Sequence, residues 1–278
     1  RDSLSVTVAD GRGGFSTTRI DVGDETTVPK SPVSKFTSFR DLPPIGEGSG
    51  KTGSRIPVSF DWDSNGKPDL LVCGNNRIWA YKNQKGQFSV PSVVKDDSGK
   101  ELEAASIAIL PQPRKKIPLL IVRTNDGTLH TYELQPSAGN SPIFQKTGTI
   151  VNDQEGDFKC PSNALAFGDF DNDGLPDLLV GNSSSGLFFH KNVGKPGQTK
   201  LKTEAEHIVS NSYNLAPYFA DLNRDGKPDL LHGINWGSIH YWINKGGKNI
   251  LDTDLQGNLI LTDEKGNIPK KGDNTVLR

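Results

Sequence analysis

The 278-residue sequence contains no methionine and only two cysteines, Cys73 and Cys160. Two cysteines are too few for a disulfide framework, and their separation fits no metal-ligand spacing. A pair of buried thiols and a single bridge between them remain as alternatives. Because even position 1 is not methionine, we expect the chain to be a processed or excised piece of a longer protein.

Long apolar and long basic runs are also missing. No segment approaches the roughly 18 apolar residues that are needed to span a bilayer. The 32 basic and 33 acidic residues leave a net charge of −1, which gives no electrostatic reason to bind nucleic acid or an anionic surface. The sequence therefore predicts no membrane insertion and no nucleic-acid partner.

Apolar residues make up only 33% of the chain, whereas glycine and proline number 30 and 18. This balance suits many short strands joined by tight turns better than it suits packed helices. A chain of this length can still form a core as a single all-β barrel or propeller. An all-β fold is the first expectation.

Three nine-residue segments repeat the pattern Asp-x-Asp/Asn-x-Asp/Asn-Gly-x-Pro-Asp, each followed by Leu-Leu. We call residues 61–69 loop 1, residues 169–177 loop 2 and residues 221–229 loop 3. A worn fourth copy keeps the apolar strand without the acids, since residues 117–122 align with residues 67–72. Successive ninth positions then lie 50 to 58 residues apart, which is the length of one four-stranded propeller blade.

The rest of the chain follows a hairpin pattern. After each copy, an apolar run, a short turn and a second strand with aromatic residues follow one another. Residues 1–22 alternate around a glycine-rich turn and predict a hairpin, residues 23–55 predict a linker with a first outer strand, and residues 56–278 predict the propeller. Four blades can close a small propeller, but larger ones are common, so a partner fragment or missing sequence that completes it is an alternative.

The repeated loops have the composition of a calcium site, because calcium takes six to eight oxygen ligands in a flexible shell. Side chains at positions 1, 3, 5 and 9 and the carbonyl of position 7 are the predicted ligands. In loop 1 these are Asp61, Asp63, Asn65, Lys67 and Asp69; in loop 2 Asp169, Asp171, Asp173, Leu175 and Asp177; in loop 3 Asp221, Asn223, Asp225, Lys227 and Asp229. We predict three calcium ions, and none at the worn copy.

Helical calcium loops begin in a similar way but need a carboxylate at position 12. Position 12 here is Val72, Val180 or His232, inside a predicted strand. Helical loops are therefore excluded. The remaining alternative, acidic turns without metal, would leave several carboxylates crowded together with nothing to neutralise them.

Residues 56–245 resemble the FG-GAP or VCBS repeats of integrin α-subunit propellers, of lectins and of large secreted bacterial proteins. The resemblance implies a β-propeller whose calcium loops have chiefly a structural role. It also implies an extracellular or cell-surface protein, since calcium is abundant outside cells. The amino-terminal hairpin similarly resembles the last two strands of an immunoglobulin-like or cadherin-like module.

These observations favour a calcium-stabilised binding or adhesion module that recognises a glycan or another protein. Trp236 lies in a predicted turn and is the candidate for stacking on a sugar, although packing against a neighbouring blade is the alternative. A carbohydrate-active enzyme similar to propeller polysaccharide lyases is a rival hypothesis. The five histidines show no zinc spacing and no nucleophile motif is visible, so we expect no catalytic residues. A scaffold subunit of a surface complex is a third possibility.

Overall fold

A computed structural model describes residues 3–9, 15–21, 33–35, 56–84, 87–112, 115, 117–137, 139–182, 186–209, 215–233, 239–248, 250–252 and 257–262. Within these residues nearly all regular structure is β-strand. No helix in this part of the chain is long and apolar enough to cross a bilayer. The chain forms two compact units: unit 1 is Arg1–Asp41, Ala164–Phe189 and Ala205–Arg278, and unit 2 is Leu42–Asn163 and His190–Glu204.

The first sheet belongs to unit 2 and has the strand order β4-β5-β6-β9. Its antiparallel strands are β4 (Ile56–Phe60), β5 (Asp69–Gly74), β6 (Arg77–Tyr81) and β9 (Ser92–Val93). A two-stranded ladder of β7 (Asn83–Gln84) and β8 (Gln87–Phe88) lies between the last two in sequence. Phe60 pairs with Asp69, so loop 1 is the connection between the first two strands of this sheet.

The second sheet, also in unit 2, contains the worn copy. Its order is β10-β14-β13-β12-β11, with strands β10 (Lys95–Asp96), β11 (Ser106–Leu110), β12 (Leu119–Arg123), β13 (Leu129–Gln135) and β14 (Ile143–Thr149). Leu110 pairs with Leu119 across the same nine-residue interval as Phe60 and Asp69. The fourth copy predicted from spacing is therefore confirmed as a blade-like sheet without an acidic loop. A short parallel ladder follows, formed by β15 (Val151–Asn152) and β19 (Lys200–Leu201).

The third and fourth sheets belong to unit 1. The third has the order β16-β17-β18-β20, with strands β16 (Ala164–Gly168), β17 (Asp177–Asn182), β18 (Gly186–His190) and β20 (Glu206–Val209). The fourth has the order β21-β22-β23-β24-β3, with strands β21 (Ala216–Ala220), β22 (Asp229–Gly233), β23 (Ile239–Trp242), β24 (Gly257–Thr262) and β3 (Val33–Lys35). A single 3-10 turn, Ile250–Asp252, precedes β24.

Loops 2 and 3 occupy the same place in these sheets as loop 1 does in the first. Gly168 pairs with Asp177 and Ala220 pairs with Asp229. The strand that follows each acidic loop is buried almost throughout, as in the six residues of β5. Such a strand is covered on both faces, which explains why Leu-Leu and valine follow the acids without polar alternation.

Each unit has its own core. In unit 2 the largest apolar cluster includes Trp62, Leu71, Ile107 and Phe144. In unit 1 a cluster joins Phe170, Leu179, Leu230 and Trp242 with residues from the neighbouring strands. Burial of these side chains supplies the main free energy for holding the sheets together.

The two cysteines are free and buried. The Cys73 thiol donates to the carbonyl of Ala104 and the Cys160 thiol to that of Ser162. Burial raises the pKa of Cys73 to about 12, so this thiol stays protonated and unreactive at neutral pH. Of the two alternatives left by the sequence, buried thiols are the one observed.

The fold class is confirmed: the chain is all-β and its four sheets have the strand order of propeller blades. The predicted amino-terminal hairpin is present as β1 (Ser3–Ala9) paired with β2 (Phe15–Asp21). Its origin in an immunoglobulin-like or cadherin-like module stays a prediction. The domain boundaries at residues 22 and 55 lie outside the described residues. Of residues 23–55 the structure describes β3, which pairs in parallel with β24, and the linker with its first outer strand stays a prediction.

Close packing in unit 1 depends on a glycine in β17. A Cβ atom built on Gly181 would overlap the backbone carbonyl oxygen of Leu215, which cannot rotate away. We expect Gly181→Ala to lower the free energy of unfolding by about 3 kcal/mol, the upper range for overpacked cores. Gly156→Ala is the control, since the three atoms nearest to its Cβ all belong to the Asn152 side chain, the first of them at 3.4 Å. Urea unfolding of both variants measures the difference, and equal stabilities would contradict the prediction.

Candidate metal centres

The first aspartate of each loop folds the turn around itself. Asp61 accepts hydrogen bonds from the backbone N–H groups of Asn65 at 3.0 Å and Gly66 at 2.7 Å. The same pair of bonds recurs in the other loops, from Asp173 and Gly174 to Asp169 and from Asp225 and Gly226 to Asp221. The side chain at position 5 then accepts from the N–H of position 7, as in Asn65 with Lys67. These bonds turn the carboxylate and amide groups toward one small region.

The backbone adopts left-handed conformations at two positions of each loop. Position 6 is glycine, with φ of 81° at Gly66, 87° at Gly174 and 85° at Gly226, as the sequence predicted. Position 4 is left-handed too, at Ser64, Asn172 and Arg224. The sequence analysis missed position 4, because serine and arginine carry no signal for that conformation, whereas asparagine does.

The aspartate at position 9 is buried and accepts hydrogen bonds from backbone N–H groups. We call this set of bonds the clamp of the loop. Asp69 accepts from the N–H of Trp62 at 3.2 Å and from the N–H of Asn83 at 2.7 Å. Asp229 accepts in the same way from Leu222 and Asn244, both at 2.7 Å. In loop 2, Asp177 accepts from Phe170 at 3.1 Å. The predicted ligand at position 9 therefore also fastens position 2 of its loop to the turn that follows the next strand.

An asparagine that follows the third strand of the sheet completes the clamp. The Asn83 side-chain amide donates to the carbonyl of Pro68 at 2.9 Å, and that of Asn244 to Pro228 at 3.1 Å. After the corresponding strand, β18, the Asn192 side chain accepts from the N–H groups of Gly194 and Lys200. The sequence shows these asparagines as turn residues, and their recurrence 14 or 15 residues after the ninth aspartate is the signal that would have tied them to the loops.

Position 2 anchors each loop in the core. Trp62, Phe170 and Leu222 are all buried, with at most 8% of their surface exposed. The sequence analysis did not predict this role for position 2, although an apolar residue at that position in all three loops was the signal. Each loop is thus held on both sides, by an apolar side chain at position 2 and by a buried carboxylate at position 9.

The acidic side chains converge. In loop 1 one oxygen from each of Asp61, Asp63 and Asp69 lies within 4.8 Å of the others, and in loop 2 the same holds for Asp169, Asp171 and Asp177. In loop 3, position 3 is Asn223, whose amide oxygen would offer a neutral donor in place of a carboxylate. All these groups offer oxygen, which suits a hard divalent cation such as calcium better than zinc or copper.

The electrostatics of the loops also fit a cation. Burial raises the pKa of Asp69 to about 6, although Asn83 and Trp62 donate to it and neighbouring acids raise it further. Burial also raises the pKa of Asp229 to about 6, and it raises the pKa of Asp169 as well. A cation among the oxygens would favour the ionised carboxylates and oppose this cost. The donor set and its charge therefore fit calcium in each loop.

Not every predicted site residue is brought into these clusters. Trp236 lies outside the described residues. Lys67, Leu175 and Lys227 hold position 7 at the end of each turn, and binding of an ion by their carbonyls stays a prediction. Within the described part of the chain, the groups of three acidic, histidine or cysteine side chains with this closeness are those of loops 1 and 2.

The histidines have structural surroundings. His190 contacts the ring of Phe158 and bonds the carbonyl of Lys202. His232 is buried between His240 and Trp242, and burial together with His240 lowers its pKa to about 3. His232 is therefore neutral at neutral pH and packs as an aromatic ring.

Loop 1 has a lysine beside position 3, whereas in loop 3 the lysine at position 7, Lys227, lies 3.6 Å from Asp225 at position 5. The Lys82 ammonium lies 3.0 Å from Asp63, and the two side chains are only 20% and 24% exposed. Burial raises the pKa of Asp63, but hydrogen bonds from Lys82 and Asn65 outweigh it and leave the pKa below its usual value. Lys82 directly precedes Asn83. The corresponding residue, directly before Asn244, is Ile243. Loop 1 is thus partly neutralised by a cation of the chain itself.

We expect Lys82→Ile to tighten calcium binding at loop 1 about tenfold, because a divalent ion would no longer compete with the ammonium. Isothermal titration calorimetry measures this in a background where Asp171→Ala and Asn223→Ala disable loops 2 and 3. Lys100→Ile, at an exposed lysine of unit 2, is the control. Equal affinities with Lys82 and with isoleucine would show that the ion pair has no influence on binding.

Comparison with known proteins agrees with this geometry for part of the chain. The family described as FG-GAP-like repeat matches residues 164–232. This segment runs from the first strand of the third sheet through loops 2 and 3 into the second strand of the fourth. No curated protein sequence matches the chain significantly.

Two solved structures are similar to the chain at low sequence identity. One concerns recognition of non-reducing terminal N-acetylglucosamine by an Agrocybe aegerita lectin; it is 13% identical with a TM-score of 0.42, and the match covers 94% of this chain and 67% of that one. The other is BBS1N in complex with ARL6DN. It is 13% identical with a TM-score of 0.37, and the match covers 88% of this chain and 67% of that one. Neither likeness is close enough to transfer a ligand. Residues 164–232 are thus similar to FG-GAP-like repeats, within a chain that is all-β.

Proposed function

We propose that the chain is a calcium-stabilised extracellular binding or adhesion module that recognises a glycan or a protein partner. The observation that carries the calcium part is the convergence of acidic oxygens in repeated loops whose ninth carboxylate is buried at the base of the turn. Three calcium ions, one for each loop, would neutralise these groups. The family match to FG-GAP-like repeats supports the proposal.

The role proposed for calcium is structural. Each loop joins the first two strands of its sheet, and its position 2 side chain lies in the core. An ion bound to positions 1, 3, 5 and 9 would hold together groups from both ends of the loop. Since the ion binds the folded loop and not the unfolded chain, it stabilises the fold by mass action.

The same chemistry supports an extracellular location as part of the proposal. Calcium sites of extracellular modules are often weak, with dissociation constants of about 0.1 to 1 mM. Such sites fill only where the ion is abundant. The proposed location is therefore the cell surface or the surrounding medium, where the loops would be permanently occupied.

Removal of calcium is expected to destabilise the protein. At about 100 times the dissociation constant, one site contributes about 2.7 kcal/mol. At about 2–4 °C per kcal/mol for a large domain, this corresponds to a shift of about 5–10 °C in Tm. Differential scanning calorimetry with calcium and with chelator measures the shift. Asp171→Ala should reduce it, whereas Asp97→Ala, at an exposed aspartate of a turn, should leave it unchanged. Identical melting curves in calcium and chelator would exclude a structural calcium role.

The ligand is proposed to be a glycan or a protein, with the calcium loops serving as supports. Flat aromatic rings stack on the apolar faces of sugars, which is why Trp236 is the proposed contact. Because fold alone does not fix a ligand, the sugar or protein surface has to be identified by binding.

A glycan array probed with the calcium-loaded protein tests this part. We expect binding to a defined sugar that Trp236→Ala abolishes and Trp236→Phe partly retains, since phenylalanine keeps a ring. Val90→Ala is the control, because Val90 is the most exposed large apolar side chain in the described residues, at 79%. Binding to no glycan would reject the sugar and leave a protein partner or a scaffold subunit, and release of a cleaved sugar would favour the enzyme hypothesis instead.

A further inference from the structure

Loop 2 reaches into the fourth sheet through one side chain. Asn172 occupies the left-handed position 4 of this loop, with φ of 59°. Its side-chain nitrogen donates to the carbonyl of Gly247 at 3.0 Å, and its side-chain oxygen accepts from the Asn244 amide at 2.7 Å. Both ends of the Asn172 amide are thus used in contacts with the turn that follows β23.

The partner of Asn172 belongs to the clamp of loop 3. Asn244 is fully buried. Its backbone N–H donates to Asp229 at 2.7 Å, and its side-chain nitrogen also donates to Pro228 at 3.1 Å. Its side-chain oxygen accepts from the N–H of Gly246 at 2.9 Å. One asparagine therefore contacts loop 2 directly and holds the ninth and eighth positions of loop 3.

A second contact runs alongside. The N–H of Ile250 donates to the carbonyl of Phe170, position 2 of loop 2, at 3.0 Å. Ile250 and Phe170 also belong to one apolar cluster with Leu230 and Trp242 of the fourth sheet. Loop 2 is therefore fastened to the fourth sheet at two of its nine positions, once through a side chain and once through the backbone.

We propose that Asn172 is a positioning residue that couples the two calcium sites of unit 1, so that filling loop 2 strengthens binding at loop 3 and the reverse. The inference rests on the calcium sites of the proposed function and adds a connection between them. Calcium in loop 2 would fix position 4, whose side chain orients Asn244. Asn244 in turn orients Asp229, the buried ligand of loop 3.

The size of the coupling can be bounded. Coupling between sites commonly changes affinity by about 5- to 150-fold, and a contact made of neutral hydrogen bonds belongs at the low end. We expect loop 3 to bind calcium about tenfold more tightly when loop 2 is filled. Linkage requires the same factor for loop 2 when loop 3 is filled.

Calorimetric titration of four proteins tests the coupling. All carry Asp63→Ala, which disables loop 1. The first has loops 2 and 3 intact, and the second adds Asp171→Ala to disable loop 2. The third and fourth are the same two proteins with Asn172→Gly, a change that keeps the left-handed backbone and removes the side chain.

The expected result is a tenfold weaker loop 3 in the second protein than in the first, and no such difference between the third and fourth. Ser64→Gly makes the same change at position 4 of loop 1, in the other unit, and should leave the difference intact. Equal loop 3 affinities in the first two proteins would overturn the coupling while leaving the calcium sites in place. A tenfold difference that survives Asn172→Gly would overturn the role of Asn172.

Hydrogen exchange in chelator separates this inference from the calcium proposal. Without the Asn172 side chain, Asn244 loses a hydrogen-bond partner. The N–H of Gly246, which donates to the Asn244 side-chain oxygen, should then exchange several times faster in Asn172→Gly than in the parent. Unchanged exchange at Gly246 would show that Asn172 does not orient Asn244. If no protein binds calcium, the titration overturns both proposals, and the exchange result still decides whether the contact between loop and sheet holds.

Discussion

A buried aspartate at the base of each acidic loop is the group on which the local architecture depends. Asp69, Asp177 and Asp229 are each at most 1% exposed, and a carboxylate at that depth is costly unless it is hydrogen-bonded or paired. In loops 1 and 3 both oxygens accept backbone N–H groups, one from within the loop and one from the turn after the next strand. The aspartate thus fixes the first three strands of a sheet relative to one another.

This arrangement explains why the worn copy could lose its acids and remain a sheet. In the second sheet, Leu119 occupies the position of the buried aspartate, and the pairing of Leu110 with Leu119 keeps the register. Leu119 is only partly buried, and its side chain has no polar group that needs a hydrogen-bond partner. The sheet therefore persists through its backbone pairing and through apolar packing around Ile107, Leu120 and Val122.

The sequence was sufficient to predict the fold class and the place of the loops, because both depend on local patterns. Gly66 and Pro68 mark the turn and the entry into β5. The spacing between repeats of these signals predicts the number of residues in each blade. The clamp could not be predicted in the same way. Asn83 is separated from Asp69 by a complete strand, and only the pairing of β5 with β6 brings them together. The contact of Asn172 with Asn244 spans two sheets and has no counterpart in the repeat pattern.

The parallel pairing of β3 with β24 has a consequence for the order of folding. Val33 pairs with Ile260, and these residues lie near opposite ends of the described chain. Hairpins such as β4–β5 close over a few residues, whereas this contact must wait until most of the chain has been synthesised and the intervening segments have collapsed. Closing so long a loop costs entropy before any contact repays it, and proteins dominated by distant pairings fold slowly. Until β3 arrives, the outer edge of β24 is an open template for another strand, which makes the last step of assembly the one most exposed to mispairing between chains.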